Sequence, residues 1–181
     1  MKKIYFVTSN KNKFIEAEKI LDMKLVQAKL KINEIQALDN RKVVEHKARE
    51  AYSILKKPVI AEDTGLYIKD WKGFPGALVS WVVGTIGIEK LCKLLRTRRD
   101  VTAKACVSYY DGKNLKTFCG QVNGKISGSP RGSDRFDWDR IFIPDGEKRT
   151  FAQMSIEEKN KISHRMKAFR KLKRFLESEV K

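Results

Sequence analysis

The stretch Pro58-Val59-Ile60-Ala61-Glu62-Asp63-Thr64-Gly65-Leu66 determines how the rest of the chain is interpreted. Its first four residues form a short apolar run opened by proline, which is typical of a buried strand. We therefore expect Glu62 and Asp63 at the carboxyl end of that strand, where ligands gather in α/β folds. Two adjacent carboxylates there favour a divalent cation and its phosphate ligand. The alternative is a solvated turn, because Glu-Asp-Thr-Gly is also ordinary turn composition.

Length and composition indicate one domain over residues 1–181, with room for two lobes. Hydrophobic residues make up 41% of the chain and charged residues 34%, which favours a globular protein with a charged surface over a membrane protein. No apolar run approaches the roughly 18 residues of a membrane span. The apolar part of residues 1–7 is too short for a signal peptide and predicts a first strand instead.

The three cysteines, Cys92, Cys106 and Cys119, are an odd number at wide spacing. They fit neither a zinc pattern nor a disulfide framework. The spacing therefore predicts reduced thiols, and with them a cytoplasmic location.

The net charge of +17 is compatible with a nucleic-acid partner, a polyanionic small molecule or simple solubility. Residues 159–181 carry nine Lys or Arg and two Glu, and an apolar stripe at helical spacing. This pattern predicts one amphipathic helix docked on the core with a basic outer face. That face is either solvated or, as the alternative, part of a nucleic-acid surface. Such a surface would comprise Lys161, Lys167, Lys171 and Arg174 together with Arg96, Arg98 and Arg99.

A polar loop, Thr8-Ser9-Asn10-Lys11-Asn12-Lys13, follows the first predicted strand and opens a helix. The helix is predicted to turn Phe14, Ala17, Ile20 and Leu21 to the core and Glu16, Glu18 and Lys19 away from it. A helix N-terminus with a lysine in its first turn favours an anion, although an ordinary cap at Ser9 or Asn10 explains the same residues. Without the glycines this loop is not a Walker motif.

The central part of the chain alternates between predicted strands and helices. A strand over residues 25–30 precedes a loop with the isolated acid Glu34, and a helix follows from Asp39 or Asn40 to Leu55. Two helices are predicted between residues 77 and 95. Asp111-Gly112 then predicts the turn of a β-hairpin over residues 101–122, and residues 141–143 form a later strand.

Two segments near the carboxyl end carry further candidate site residues. Phe136, Asp137, Trp138 and Asp139 could stack on and hydrogen-bond a flat ring, or they could be core aromatics beside solvated acids. Ser155 and Glu158 form a capping-box signature. The tripeptide Ser163-His164-Arg165 then lies near a helix start, where it could meet a polar ligand or serve the structure alone.

Four of these segments, in order, resemble the motifs of the inosine triphosphate pyrophosphatases. The first is the loop at residues 8–13, the second is Ala61-Glu62-Asp63-Thr64-Gly65-Leu66, and the third is Gly73-Phe74-Pro75-Gly76. The fourth runs from Phe151-Ala152-Gln153-Met154-Ser155 to Ile162-Ser163-His164-Arg165 and is similar to the family signature nearly residue for residue.

The resemblance implies an α/β fold with an elongated mixed β-sheet flanked by helices, and two lobes with the nucleotide cleft between them. It also implies a homodimer, a requirement for Mg²⁺, and attack of water on the α-phosphorus of ITP, dITP or XTP. The products would be the nucleoside monophosphate and pyrophosphate, so that the nucleotide pool is cleansed.

The same resemblance assigns roles to individual residues. Glu34, Glu62 and Asp63 would hold Mg²⁺ directly or through water, and Asp63 would be the general base. The triphosphate would be bound by Thr8, Ser9, Asn10, Lys13 and Thr64. The base would be held by Phe136, Asp137, Trp138, Asp139, Lys159, His164 and Arg165.

One segment departs from the family pattern. Where the family usually has Gly-Phe-Gly-Tyr-Asp-Pro, this chain has Arg135-Phe136-Asp137-Trp138-Asp139-Arg140. Losing two glycines changes the backbone conformations that the loop can adopt. Alternatives to the expected activity are therefore a pyrophosphatase of altered base specificity and a basic nucleic-acid-binding protein on the same fold.

Overall fold

A computed structural model describes residues 3–133 and 137–178 and has a seven-stranded mixed sheet at its centre. In chain order its elements are β1 (Tyr5–Val7), α1 (Lys11–Leu21), β2 (Val26–Ala28), α2 (Asn40–Leu55), β3 (Val59–Ile68), β4 (Pro75–Gly76), α3 (Val79–Ile86), α4 (Ile88–Leu94), β5 (Asp100–Tyr110), β6 (Leu115–Ile126), β7 (Phe142–Pro144), α5 (Ile156–Ile162) and α6 (His164–Ser178). Short 3-10 helices cover Asp137–Arg140 and Phe151–Gln153. Among these described residues, no helix has the length and apolar character needed to cross a membrane.

The strand order is β2-β1-β3-β5-β6-β7, with β4 paired to β3. β1 is parallel to both β2 and β3, whereas the other pairings are antiparallel. The predicted α/β class with a mixed sheet flanked by helices is confirmed, as are the hairpin and the pair of helices between residues 77 and 95.

The strand that carries the acidic pair is longer than predicted. β3 continues past Ala61 to Ile68 and pairs with β5 along its whole length. The prediction that Glu62 and Asp63 end a strand is therefore wrong, and so is the alternative of a solvated turn. The short parallel partner β1 stops at Val7, opposite Ala61, so the opening in the sheet lies beside the middle of β3.

Two lobes share β3. Its first half packs with β1, α1 and α6 on one face, where Phe6, Ile60 and Phe169 are fully buried. On the other face α2 supplies Val44 and Ala48 to a smaller cluster. The second half of β3 belongs to another core, built with α3, α4 and β7. The predicted division into two lobes follows from this change of partners along one strand.

Close backbone contacts fix the junction between the lobes. A Cβ atom on Gly65 would lie 2.6 Å from the carbonyl oxygen of Gly76 in β4. One on Gly76, whose φ is +57°, would lie 2.3 Å from the carbonyl oxygen of Leu38. Glycine at both positions lets three stretches of backbone lie directly against each other.

The basic carboxyl-terminal segment forms two helices rather than the one predicted. α5 begins with the predicted capping box between Ser155 and Glu158 and ends at Ile162. Ser163 is extended, and its hydroxyl accepts a hydrogen bond from the backbone N–H of Met166, so it caps α6. The break brings His164 and Arg165 to a helix start, where both are buried.

The prediction of reduced thiols is wrong for two of the three cysteines. Cys106 and Cys119 face each other across β5 and β6 and form a disulfide, whereas Cys92 is a buried free thiol. The pairing depends on the register of the hairpin, which cysteine spacing does not reveal. The argument from reduced thiols to a cytoplasmic location is lost with it.

Candidate active site between the lobes

A cavity of about 450 Å³ opens where β1 and β2 end and extends between the lobes. Eleven residues predicted for the site line it: Thr8, Ser9, Asn10, Lys13, Glu34, Thr64, Trp138, Asp139, Lys159, His164 and Arg165. They come from five separate parts of the chain. Two predicted residues cannot be located: Phe136 and the side chain of Asp137 lie outside what the structure describes.

The loop between β1 and α1 forms one end of the cavity. The side chain of Asn10 accepts a hydrogen bond from the backbone N–H of Lys13 (3.0 Å) and caps the helix. The hydroxyl of Thr8 accepts one from the backbone N–H of Asn10 (3.1 Å). The loop thus presents the positive end of the α1 dipole and the ammonium of Lys13 to the cavity. The capping interpretation is confirmed and is compatible with anion binding.

Glu62 lies beneath this loop in a buried ion cluster. Its Oε1 accepts a hydrogen bond from the Nε of Arg165 (2.6 Å), and its Oε2 lies 3.5 Å from the Nζ of Lys13. Arg165 also donates from Nη1 to Glu16 (2.7 Å). The three side chains of Glu62, Arg165 and Glu16 are each less than 10% exposed. Arg165 is therefore fixed between two carboxylates.

Glu16 is a residue that the sequence analysis placed on the wrong face of α1. It is buried and contacts Arg165. The error arose because apolar periodicity assigns an acid on such a helix to solvent. The available signal was its position three residues after Lys13, which puts both side chains on the same side of the helix.

The ion cluster keeps Glu62 charged. Burial opposes ionisation, but the charges of Arg165 and Lys13 outweigh it and lower the pKa of Glu62 to about 2. The two carboxylates beside Arg165 likewise raise its pKa despite burial. Both groups are ionised at neutral pH, so the cluster is a charged scaffold rather than a proton donor or acceptor.

Asp63 lies on the opposite face of β3, because successive side chains of a strand alternate. Its backbone carbonyl accepts a hydrogen bond from the buried side chain of Asn40 at the start of α2. Burial raises the pKa of Asp63 to about 7. The charges of Lys13 and Lys47 act against this rise, and those of Glu34 and Glu62 add to it.

The predicted metal ligands are not gathered into one cluster. Across residues 3–133 and 137–178, no group of three or more His, Cys, Asp or Glu side chains is arranged to hold a metal ion. Glu62 is held by Arg165, and Glu34 forms an ion pair with Lys47. Within the same residues, the buried Oδ2 of Asp63 has no hydrogen-bond partner. An oxygen ligand is thus available at Asp63, with Glu34 close enough to influence its pKa.

Aromatic and charged side chains form the other end of the cavity. The ring of His164 lies 5.3 Å from that of Trp138 and 6.0 Å from that of Phe151, measured between centroids. Beside them the ammonium of Lys159 donates to the carboxylate of Asp139, and both groups are nearly buried. This end joins flat apolar surfaces to fixed charges, as a planar heterocyclic ligand requires.

His164 is a polar group at this end of the cavity whose ring nitrogens can still form hydrogen bonds. Burial, together with the charges of Arg165 and Lys159, holds the pKa of His164 well below its usual range, so the ring is neutral. Neither ring nitrogen has a hydrogen-bond partner within the described part of the chain. Leaving a buried neutral imidazole unsatisfied is costly, so both nitrogens are suited to hydrogen-bond a ligand in the cavity.

Fold and site together define an α/β protein with an interlobe cleft suited to an anion at one end and a flat polar ring at the other. The family model that matches is that of the Ham1 family, over residues 4–175, and the chain belongs to this family. A dITP/XTP pyrophosphatase of Saccharolobus solfataricus is 43% identical over 97% of this chain and 94% of that protein. A dITP/XTP pyrophosphatase of Thermococcus kodakarensis is 41% identical over 99% of this chain and 100% of that protein. The solved structure of a HAM1 protein from Coxiella burnetii matches with a TM-score of 0.88 at 25% identity, over 98% and 100%.

Proposed function

We propose that the protein hydrolyses the non-standard purine nucleoside triphosphates ITP, dITP and XTP to the monophosphate and pyrophosphate. The observation that carries this proposal is one cavity with a cationic helix N-terminus at one end and, at the other, the buried ring of His164, whose nitrogens have no hydrogen-bond partner among the described residues. The first end suits a triphosphate and the second a base. The names of the two relatives support the same reaction.

At the phosphate end, backbone N–H groups of the first turn of α1 and the side chains of Thr8, Ser9 and Asn10 would bind the triphosphate oxygens. Thr64 lines the same region from β3. Lys13 would neutralise the charge that develops on the departing pyrophosphate. Its ion pair with Glu62 holds the ammonium near the position in which this is possible.

Asp63 would be the general base that takes a proton from the attacking water. A pKa near 7 suits this role, because the carboxylate is then both substantially ionised and basic enough to accept the proton. Asn40 holds the backbone of Asp63 in place. Its Oδ2, which has no hydrogen-bond partner among the described residues, would be the atom that accepts the proton.

Mg²⁺ is the cofactor we propose, since hard cations prefer the oxygen ligands available here. Glu34 would hold it together with phosphate oxygens, and Asp63 and Glu62 would reach it through water. When bound, the ion neutralises charge on the triphosphate. Lys47 would then position Glu34, with which it forms an ion pair.

Base selection would depend on Trp138, Asp139, Lys159, His164 and Arg165. Hypoxanthine and xanthine present an acceptor at position 6, where adenine presents a donor. The cationic donors of Lys159 and Arg165 favour the acceptor. Adenine would leave a buried donor facing another donor, which is costly.

We also propose a cytoplasmic homodimer. α3 is apolar along most of its length, yet only Val79 of its residues is buried, and Trp81 is 67% exposed. An apolar helix surface of this kind marks a site of protein association. A location in the cytoplasm follows from the proposed substrates, which are free nucleotides.

The test is pyrophosphate release from ITP, dITP, XTP, GTP and ATP, with Mg²⁺ or with a chelator. Release from the first three that requires Mg²⁺ is the expected result. Asp63→Asn should lower it by roughly 1,000-fold, whereas the control Asp70→Asn, at an exposed acid just beyond β3, should not change it. Equal release from ATP would contradict the proposed specificity, and no release from any substrate would contradict the function itself.

A further inference from the structure

The strand β6 has an open edge on the side away from β5. β7 pairs with it only over Gly124–Ile126, and no other described strand pairs with residues 115–123 on that side. Cys119 and Cys106 have Cα atoms 4.2 Å apart, which marks a pair without mutual hydrogen bonds. The backbone N–H and C=O groups of Cys119 therefore point away from β5, towards the open edge. Those of Gln121, two residues further along the strand, point the same way.

Cations from α6 are fixed along this edge. The ammonium of Lys171 donates to the carbonyl of Cys119 (2.6 Å), and that of Lys167 donates to the carbonyl of Gln121 (3.1 Å). Arg170 and Arg174 lie beside them and form no ion pair with any described residue. All four are exposed. Lysines on an edge prevent pairing with another strand, so a β-strand partner is disfavoured.

The same residues line a groove of about 460 Å³ between α6 and β6. Its other lining residues are Cys119, Gly120 and Gln121, so no acid and no large apolar side chain takes part. A membrane surface would require apolar side chains among the cations. The acids Asp145 and Glu147 line a neighbouring depression that shares Lys167 with the groove, and they limit the cationic surface on that side.

From these observations we propose that the groove between α6 and β6 binds the phosphate backbone of a nucleic acid strand. Lys167 and Arg174 are separated by seven residues of helix, or about 10 Å, so the four cations form a row. A row of cations, two of them held in place by hydrogen bonds to β6, suits a linear polyanion better than a single small anion. The proposal is independent of the pyrophosphatase reaction, because the groove and the interlobe cavity share no lining residue.

The nucleic-acid surface proposed here includes fewer residues than the sequence suggested. It does not include Arg96, Arg98 and Arg99, which do not extend this groove. The backbone of Arg99 pairs with Ile126, which is seven strand residues, or about 24 Å, from Cys119. The guanidinium of Arg99 donates to the carbonyls of Cys92, Ile126 and Ser127, so it is part of the fold.

The experiment measures binding of short fluorescent single-stranded and duplex oligonucleotides by anisotropy over a range of salt concentrations. The groove variant replaces Lys167, Arg170, Lys171 and Arg174 by Gln. A matched control replaces four exposed cations on and after α4, namely Lys90, Lys93, Arg96 and Arg98, by Gln and so removes the same charge. Circular dichroism and thermal unfolding establish that both variants are folded.

We expect the groove variant to bind at least about tenfold more weakly than the wild type, and its salt slope for single strands to fall by about 3. The control should stay within about twofold of the wild type. Three results would each overturn the proposal: no binding by the wild type, equal losses in both variants, or displacement of the oligonucleotide by polyglutamate as readily as by unlabelled DNA. The first would mean that the lysines only protect the edge, and the second that net charge alone attracts the strand.

Discussion

The two faces of β3 shift the pKa values of neighbouring carboxylates in opposite directions. On one face, Arg165 and Lys13 hold the pKa of Glu62 at about 2. On the other, burial raises the pKa of Asp63 to about 7. The difference shows that adjacent acids on a strand belong to different environments because their side chains alternate between faces. One face provides a permanently charged support, and the other provides a group that can exchange a proton.

The largest difference between the two faces is expected when Asp63 is neutralised. Asp63→Asn should lower kcat for ITP by roughly 1,000-fold, since it removes the proposed general base. The folded protein raises this pKa above its unfolded value, so the charged carboxylate destabilises the fold as pH rises through about 7. The variant should therefore unfold at a temperature equal to or higher than the wild type at pH 8, measured by calorimetry. A variant that loses both activity and stability would contradict the assignment.

Neutralising Glu62 should instead weaken the fold. Because its pKa falls from 4.5 to about 2 on folding, Glu62→Gln should cost about 3 kcal/mol of unfolding free energy at pH 7. This contribution is present above the unfolded pKa and is lost as pH falls through the folded pKa. Urea unfolding at a series of pH values should show the difference between wild type and variant shrinking from pH 4.5 towards pH 2. A difference independent of pH would show that the carboxylate charge is not its source.

A smaller effect is expected from the other carboxylate that binds Arg165. Glu16→Gln keeps the shape of the side chain and leaves Arg165 paired with Glu62, so a loss of about 1–2 kcal/mol is expected. Lys19→Gln, at an exposed residue of the same helix, is the control for general effects on α1. The double variant of Glu16 and Glu62 should lose more than the sum of the single losses, because Arg165 is then buried without a counter-charge.

The smallest effect is expected from Lys47, which lies on the same face of β3 as Asp63 and influences its pKa. Lys47 lowers the pKa of Asp63, so Lys47→Gln should move the acidic limb of the kcat/KM profile to higher pH, by less than about one unit. Arg41→Gln, which removes an exposed cation of α2 paired with Glu45, is the matched control. An unchanged profile in Lys47→Gln would show that another group determines the acidic limb.

Local patterns in the sequence were sufficient to predict most elements. Apolar periodicity, the Asp-Gly turn and the capping box identified α2, the β5–β6 hairpin and the start of α5, because these signals lie within a few residues of each other. The length of β3 was missed, since its continuation depends on pairing with β5, a partner distant in the sequence.

The candidate site was predicted less completely for the same reason. The residues that line the cavity could be named from motifs, but the separation of Glu62 from Asp63 requires knowing that both lie inside a strand. The buried position of Glu16 depends on Arg165, which is 149 residues away. The disulfide between Cys106 and Cys119 depends on hairpin register, so the sequence alone favoured the wrong oxidation state.

The close backbone contacts at Gly65 and Gly76 also limit how this protein can change through evolution. Any other residue at either position would insert a Cβ atom where a carbonyl oxygen already lies. The carbonyl of Leu38 on the far side of this contact also accepts hydrogen bonds from the backbone N–H of Ala77 and the hydroxyl of Tyr67. The loop that precedes α2 is thereby attached to the second lobe by main-chain atoms. Substitution at Gly65 or Gly76 would therefore displace the main chain that joins the two lobes, and not only a side chain.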